Sequence, residues 1–229
     1  MIYCFGDSWG KGEELNFDAG EKPFVHWVAK ELGENYVNKS SGGGAFGSQC
    51  VQFFNNLYKI EKSSLLLVVI PPDIRWYDES YGKFSTISMY SGHVQTANRY
   101  WEMFGKRTKE WFIYHQSLFM FSIQQACKQK GLKLLMMHNY GDLRIYPSFE
   151  QILNFDVILD RNKSLTYLLT DGMDDYGKTQ FNMKNDGPPR EIFVGKYFEG
   201  TKRHPNELGH KEISNLIIKK LGETNDKVD

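Results

Sequence analysis

The chain begins MIYCFGDSWG, residues 1–10, and this stretch decides how the rest is read. Ile2 to Phe5 form a short apolar run that stops at Gly6, the pattern of a buried strand. Gly6-Asp7-Ser8 then implies a sharp turn that exposes the Ser8 hydroxyl at the strand's end.

Working outward, residues 22–32 place Phe24, Val25, Val28 and Leu32 at helical spacing, with Gly33 as a stop. Tyr36 and Val37 suggest a brief strand running into Asn38-Lys39-Ser40-Ser41-Gly42-Gly43-Gly44, a loop that suits glycines and small residues. Residues 47–60 predict a helix with Val51, Phe54 and Leu57 on one face. Leu65 to Ile70 is the clearest strand, and its unbroken apolar character suits a strand covered on both faces. A long helix over 109–129 ends at Gly131, and Leu132 to Met137 is the next strand. A final helix, capped by Asn206, turns Leu208, Ile213, Leu216 and Ile217 inward. Strand and helix in alternation imply a parallel sheet with right-handed crossovers. The expected fold is a flavodoxin-like, doubly wound three-layer α/β/α domain over residues 1–222. It carries irregular insertions near 77–108 and 139–203 and a flexible tail at 223–229.

Composition narrows the function. Lys plus Arg and Asp plus Glu both number 28, so the formal net charge is zero. Nucleic acids and anionic membranes are met by excess positive charge, so neither is an expected partner. The longest apolar run, Leu65–Ile70, is far below the roughly 20 residues of a membrane-spanning helix. The N-terminus has no basic segment ahead of a long apolar one, so it does not read as a signal peptide. Cys4, Cys50 and Cys127 are an odd set without CxxC spacing, which fits a reduced, cytoplasmic protein better than a disulfide framework or metal site.

A serine hydroxyl is a poor nucleophile at neutral pH and needs an adjacent base and donors for the developing oxyanion. In such a sheet the functional groups gather beyond the C-terminal strand ends. Those positions here are Gly6-Asp7-Ser8, the 38–44 loop, Pro71–Trp76 and His138-Asn139. The base set in an active-site context is His204, in Arg203-His204-Pro205-Asn206-Glu207-Leu208-Gly209, just before the last helix. His210 reads as a structural residue inside that helix, and His138 as a packing or substrate-contact residue. The 42–44 glycines serve either as an oxyanion loop or as a flexible surface loop; they make neither a dinucleotide fingerprint nor a Walker motif. The aromatics of 76–101 either hold an insertion onto the domain or line a sugar- or acyl-binding cleft. Asp171–Asp175 reads as a solvated loop.

At these residues the sequence resembles the SGNH/GDSL hydrolase family. Gly6-Asp7-Ser8 is similar to the family's first block, and Asn38-Lys39-Ser40-Ser41-Gly42-Gly43 to its second. His204-Pro205-Asn206 through Gly209-His210 is similar to its last. The resemblance implies Ser8 as nucleophile and His204 as general base. It also implies an oxyanion hole from the backbone N–H groups of Ser8 and Gly43, with Gly42 a near alternative. Two positions depart from the pattern. Thr201 stands where the family has the acid that orients the histidine, so Glu199, Asp142, Asp186 or a backbone carbonyl must take that role. In the third block, Pro71-Pro72-Asp73-Ile74-Arg75-Trp76 replaces the family's Gly-x-Asn-Asp; an ionised Asp73 cannot donate to an oxyanion, which leaves Arg75 as a substitute.

The implied activity is hydrolysis of a small-molecule or carbohydrate ester, such as an acetyl ester, through an acyl-Ser8 intermediate, with no metal or organic cofactor. The departures favour the alternative, a catalytically degenerate domain used for binding or assembly. A third reading is a phosphate- or nucleotide-binding flavodoxin-like protein.

Overall fold

Strand β1 (Ile2–Phe5) lies inside a four-stranded parallel sheet of order β2-β1-β3-β6. Its partners are β2 (Tyr36–Asn38) and β3 (Leu65–Ile70), and β6 (Lys133–His138) lies beyond β3. The register sets Ile2 beside both Tyr36 and Leu65, and Leu65 beside Lys133, so the C-terminal strand ends lie along one edge. The computed structural model describes residues 1–13, 15–42, 44–71, 76–77, 86–87, 109–140, 142–170, 197–199 and 204–225. A parallel bridge between Met136 and Ile158 extends the sheet one position past β6.

Alternation along the strands divides the core in two. Leu65, Leu67 and Val69 face a cluster with Phe24, Val25 and Val28 of α2 (Phe24–Glu31) and Ile213 and Ile217 of the last helix, Glu207–Asn225. Leu66, Val68 and Ile70 face the other way, toward Phe46, Cys50 and Phe53 of α3 (Phe46–Asn56) and Met120, Ile123 and Cys127 of α4 (Lys109–Lys130). Each such side chain removed from water contributes about 1.5–3 kcal/mol before the entropy of ordering is set against it. The expected three-layer α/β/α fold is the one observed.

Two short helices complete the description: α1 (Ser8–Lys11), directly after β1, and α5 (Leu165–Leu169). The last helix is therefore α6. Two small antiparallel pairs stand apart from the sheet, β4 (Trp76–Tyr77) with β5 (Thr86–Ile87) and β7 (Phe198–Glu199) with β8 (His204–Pro205).

Three side-chain expectations are corrected. In α3 the buried stripe is Phe46, Gln49, Cys50 and Phe53, whereas Phe54 is exposed. The helix turns its i, i+3, i+4, i+7 face, not the Val51–Phe54 face, onto the sheet. Leu208 is half exposed, because it stands nine positions from buried Ile217, about two and a half turns, on the opposite side of α6. Leu32 caps α2 and is also exposed.

Candidate active site

The turn after β1 is built around a buried carboxylate. Asp7 is the N-cap of α1; its Oδ1 accepts from the Trp9 backbone N–H at 3.0 Å, and its Oδ2 accepts from Asn139 Nδ2 at 2.8 Å. Asp7 and Asn139 are both fully buried. Asn139 follows directly on β6; its carbonyl accepts from the Thr166 hydroxyl at 2.6 Å and the Thr166 N–H at 3.1 Å, which ties in α5. Gln49 of α3, with its amide oriented to satisfy both ends, donates to the Val69 carbonyl and accepts from the Asp7 N–H. Helices on both faces of the sheet thus hold the turn. Burying an ionised carboxylate is costly unless donors surround it, and these donors supply that compensation.

The loop after β2 is strapped against the same turn. Asn38 Nδ2 donates to the Gly10 carbonyl at 2.8 Å, and the Ser41 N–H donates to the Gly6 carbonyl at 2.9 Å. A Cβ at Gly10 would collide with the Ser40 hydroxyl, so the close approach needs a glycine there.

Trp9, also buried, carries the connection across the sheet edge. Its indole N–H donates to the Tyr140 hydroxyl at 2.7 Å, and its ring meets Phe198 of β7 edge-on at 6.0 Å between centroids. That contact anchors the β7–β8 pair beside α1. In this pair Glu199 lies opposite His204 and Phe198 opposite Pro205. The Asn206 N–H donates to the Tyr197 carbonyl at 2.9 Å, so Pro205, one position back, falls where the ladder asks for no N–H. Asn206 then caps α6 as expected, its Oδ1 accepting from the Gly209 N–H at 2.9 Å. A Cβ at Gly209 would collide with the Tyr197 carbonyl oxygen, so only a glycine lets α6 start this close to β7.

The result brings the two ends of the chain together. His204 Nε2 lies 2.7 Å from Ser8 Oγ, across 196 positions of sequence. That is the separation of a serine hydroxyl donating to an imidazole. The expected exposure of Ser8 is not seen: the residue is only 2% exposed. The chain enters α1 directly at Ser8, so the helix and the His204 ring close over it.

His210 has the structural setting expected of it. It is fully buried, its ring stacks on Phe24 at 6.0 Å, and its Nδ1 accepts from the Phe24 N–H at 3.2 Å. Its Nε2 meets no hydrogen-bond partner among the described residues. Burial, with His204 nearby as a second cause, lowers its pKa to about 3, so the ring is neutral at ordinary pH. His138 is buried on the other face of the sheet edge, with Nε2 3.3 Å from the Asp160 carbonyl oxygen. That is a packing position.

Gly43, the expected second oxyanion donor, lies outside the described residues, as do Asp73, Arg75, Thr201, Asp186 and Asp171–Asp175. Gly42 is exposed, and a Cβ there would run into the Glu13 carboxylate. Of the named substitutes for the missing acid, Asp142 is exposed on the surface. The residues that sequence reasoning missed are Asn139 and Gln49 as partners of Asp7. A polar residue directly after an apolar strand was the available signal for Asn139; nothing marked Gln49.

No family model matches the sequence, and no curated protein matches it either. Among solved structures, the chain is similar to the YXIM protein of Bacillus subtilis, with a TM-score of 0.53 and 14% identity over 98% of this chain and 56% of that one. It therefore spans about half of that protein's length. The likeness is one of fold alone. The fold is a three-layer α/β/α fold around a parallel sheet. Two further structures are similar at lower TM-scores. A member of the lipolytic protein G-D-S-L family from Veillonella parvula has a TM-score of 0.45 at 12% identity, covering 95% of this chain and 96% of that one. The lipase Lip_vut3 from a goat rumen metagenome has a TM-score of 0.46 at 12% identity, covering 96% of each. No helix among the described residues is long and apolar enough to cross a membrane.

Proposed function

We propose that the protein is a divergent serine hydrolase of the SGNH/GDSL type, cleaving esters through an acyl-Ser8 intermediate. The observation that carries this reading is the 2.7 Å approach of His204 Nε2 to Ser8 Oγ. As Ser8 Oγ attacks the ester carbonyl carbon, His204 Nε2 takes the hydroxyl proton. When the tetrahedral intermediate collapses, the carbon–oxygen bond to the alcohol breaks and His204 returns the proton to the leaving alkoxide. Water, deprotonated by the same imidazole, then attacks the acyl carbon; the bond to Ser8 Oγ breaks, His204 returns the proton to Oγ, and the carboxylic acid leaves. The backbone N–H groups of Ser8 and Gly43 are the proposed oxyanion donors. No metal or organic cofactor enters any step. The proposed substrate is a small-molecule or carbohydrate ester such as an acetyl ester. A reducing, cytoplasmic setting is supported by Cys4, Cys50 and Cys127, which are buried and form no disulfide.

A fluorophosphonate probe tests the reading. Wild type becomes covalently modified at Ser8, whereas Ser8→Ala and His204→Ala are unmodified. A folded wild type that never labels refutes the hydrolase reading and leaves the binding or assembly alternative.

A further inference from the structure

The chain has no net charge, yet the outer face of α2 gathers cations. Lys22, His26 and Lys30 stand four positions apart, so they line one stripe along α2 and the turn before it. Trp27 lies half-buried beside them. Its indole N–H donates to the Lys22 carbonyl at 3.2 Å, and the His26 ring stands edge-on to it at 5.1 Å. Two ammonium groups converge on the same indole: Lys211 Nζ of α6 at 4.5 Å from its centroid and Lys30 Nζ at 5.3 Å. An aromatic face attracts a cation but does not neutralise it. Lys211 has Glu207 at 3.2 Å, whereas Lys22 and Lys30 pair with no carboxylate among the described residues. Glu21 is spent on the Asn16 N–H at 2.7 Å, and Glu31 projects about 100° around the helix from Lys30. The positive field reaches His26, whose pKa is held below its ordinary value by burial and then by Lys22 and Lys30, against a smaller opposite pull from Glu207.

The shape of the stripe selects the kind of anion. A compact phosphate is held by convergent backbone N–H groups, and the start of α2 offers few: Pro23 has none, and the Phe24 N–H is spent on His210. One helical turn sets His26 about 6 Å from Lys30, close to the roughly 6.8 Å between alternate residues of an extended chain. Acidic side chains on alternate residues of such a chain therefore meet successive positions of the stripe. A nucleic acid calls for a broader basic field than a chain of balanced charge provides. We propose that this face of α2 docks an extended acidic segment of a partner protein, with Trp27 as its anchor and Lys22 and Lys30 as its cations. Tryptophans at interfaces concentrate binding energy, and charges around them steer approach and fix register. The surface does not involve the Ser8 hydroxyl, so it stands or falls apart from the ester chemistry.

The test is fluorescence anisotropy on the full-length protein with a fluorescein-labelled peptide in which glutamate alternates with serine. A glutamine–serine peptide is the control. Wild type binds the first and not the second, and binding weakens with added salt as the Debye length contracts from about 10 Å at 0.1 M to about 3 Å at 1 M. Lys22→Gln with Lys30→Gln weakens it about tenfold, at an unchanged urea midpoint. Lys22→Glu with Lys30→Glu abolishes it and takes up a lysine–serine peptide instead. Lys62→Gln with Lys128→Gln, exposed elsewhere on the surface, binds as wild type does. A wild type that ignores the glutamate peptide, or a charge-reversed variant that still binds it, overturns the assignment. Tighter binding of single-stranded oligothymidylate than of the peptide overturns it too, in favour of a nucleic-acid surface. A protein that labels at Ser8 but does not bind the peptide loses only this inference; one that binds but never labels keeps it and loses the hydrolase reading.

Discussion

The Asp7–Asn139 pair offers the sharpest physical test of how the Ser8 turn is held. Replacing Asn139 with Leu keeps nearly the same volume and leaves the backbone bonds to Ile70 and Thr166 in place. It removes the 2.8 Å donor to Asp7 Oδ2 at a site with no access to water. A hydrogen bond to a charged group contributes about 1.5–3 kcal/mol, and a buried carboxylate stripped of all its partners would cost more. The Trp9 N–H stays on Oδ1, so a loss of about 2 kcal/mol is expected. For a domain of this size that is a fall in Tm of about 4–8 °C. Urea unfolding at neutral pH gives the value, and an exchange of partners gives the cause. Asp7→Asn sets two amide nitrogens against each other, and Asn139→Asp sets two carboxylates together. The double exchange restores one donor facing one acceptor. It should recover about 1–3 kcal/mol relative to the sum of the single changes. Asn139 Oδ1 has no partner among the described residues, so recovery stays incomplete with a carboxylate there. A double variant whose loss equals that sum, or an Asn139→Leu protein within about 0.5 kcal/mol of wild type, would sink the argument that this pair organises the turn.

The buried His210 makes stability depend on pH. Its folded pKa of about 3 lies below the ordinary 6.5, so the unfolded chain takes up the proton first as pH falls. The contribution is complete above about pH 6.5 and declines toward pH 3, by about 2 kcal/mol between pH 6.5 and 5. Urea midpoints across that window should show this slope in wild type and a shallower one in His210→Gln; equal slopes would remove His210 as the cause. At Gly209, substitution by Ala drives a Cβ into the Tyr197 carbonyl and should cost about 1–3 kcal/mol while slowing Ser8 labelling. Gly222→Ala on the same helix, where a Cβ meets nothing, is the control, expected to be neutral or stabilising by up to about 1 kcal/mol. Similar behaviour of the two variants in unfolding and labelling would contradict the close approach described for Gly209.

The sheet was legible because its strands are buried on both faces. Ile2–Phe5 and Leu65–Ile70 have no wet side, and that unbroken apolar signal survives without knowledge of neighbours. The amphipathic helices were located more reliably than they were oriented. In α3, Phe53 and Phe54 are equally apolar, and only the position of the helix on the sheet decides which of them is buried. The Ser8 and His204 positions were readable as motif residues, because turn glycines, a proline and a helix cap leave local marks. The supports were not. Asn139 and Gln49 act through contacts with Asp7 made across the sheet, and no local pattern announces a partner 132 positions away. The register that sets Glu199 against His204 depends likewise on pairing two strands too short to give a periodic signal.

Because His204 follows Ser8 by 196 positions, the pair cannot form before the chain between them has been made. The Ser8 hydroxyl meets no imidazole from this part of the chain until α6 docks on α2 and the hairpin settles against Trp9. Docking of the last helix and appearance of the Ser8–His204 contact are then the same event.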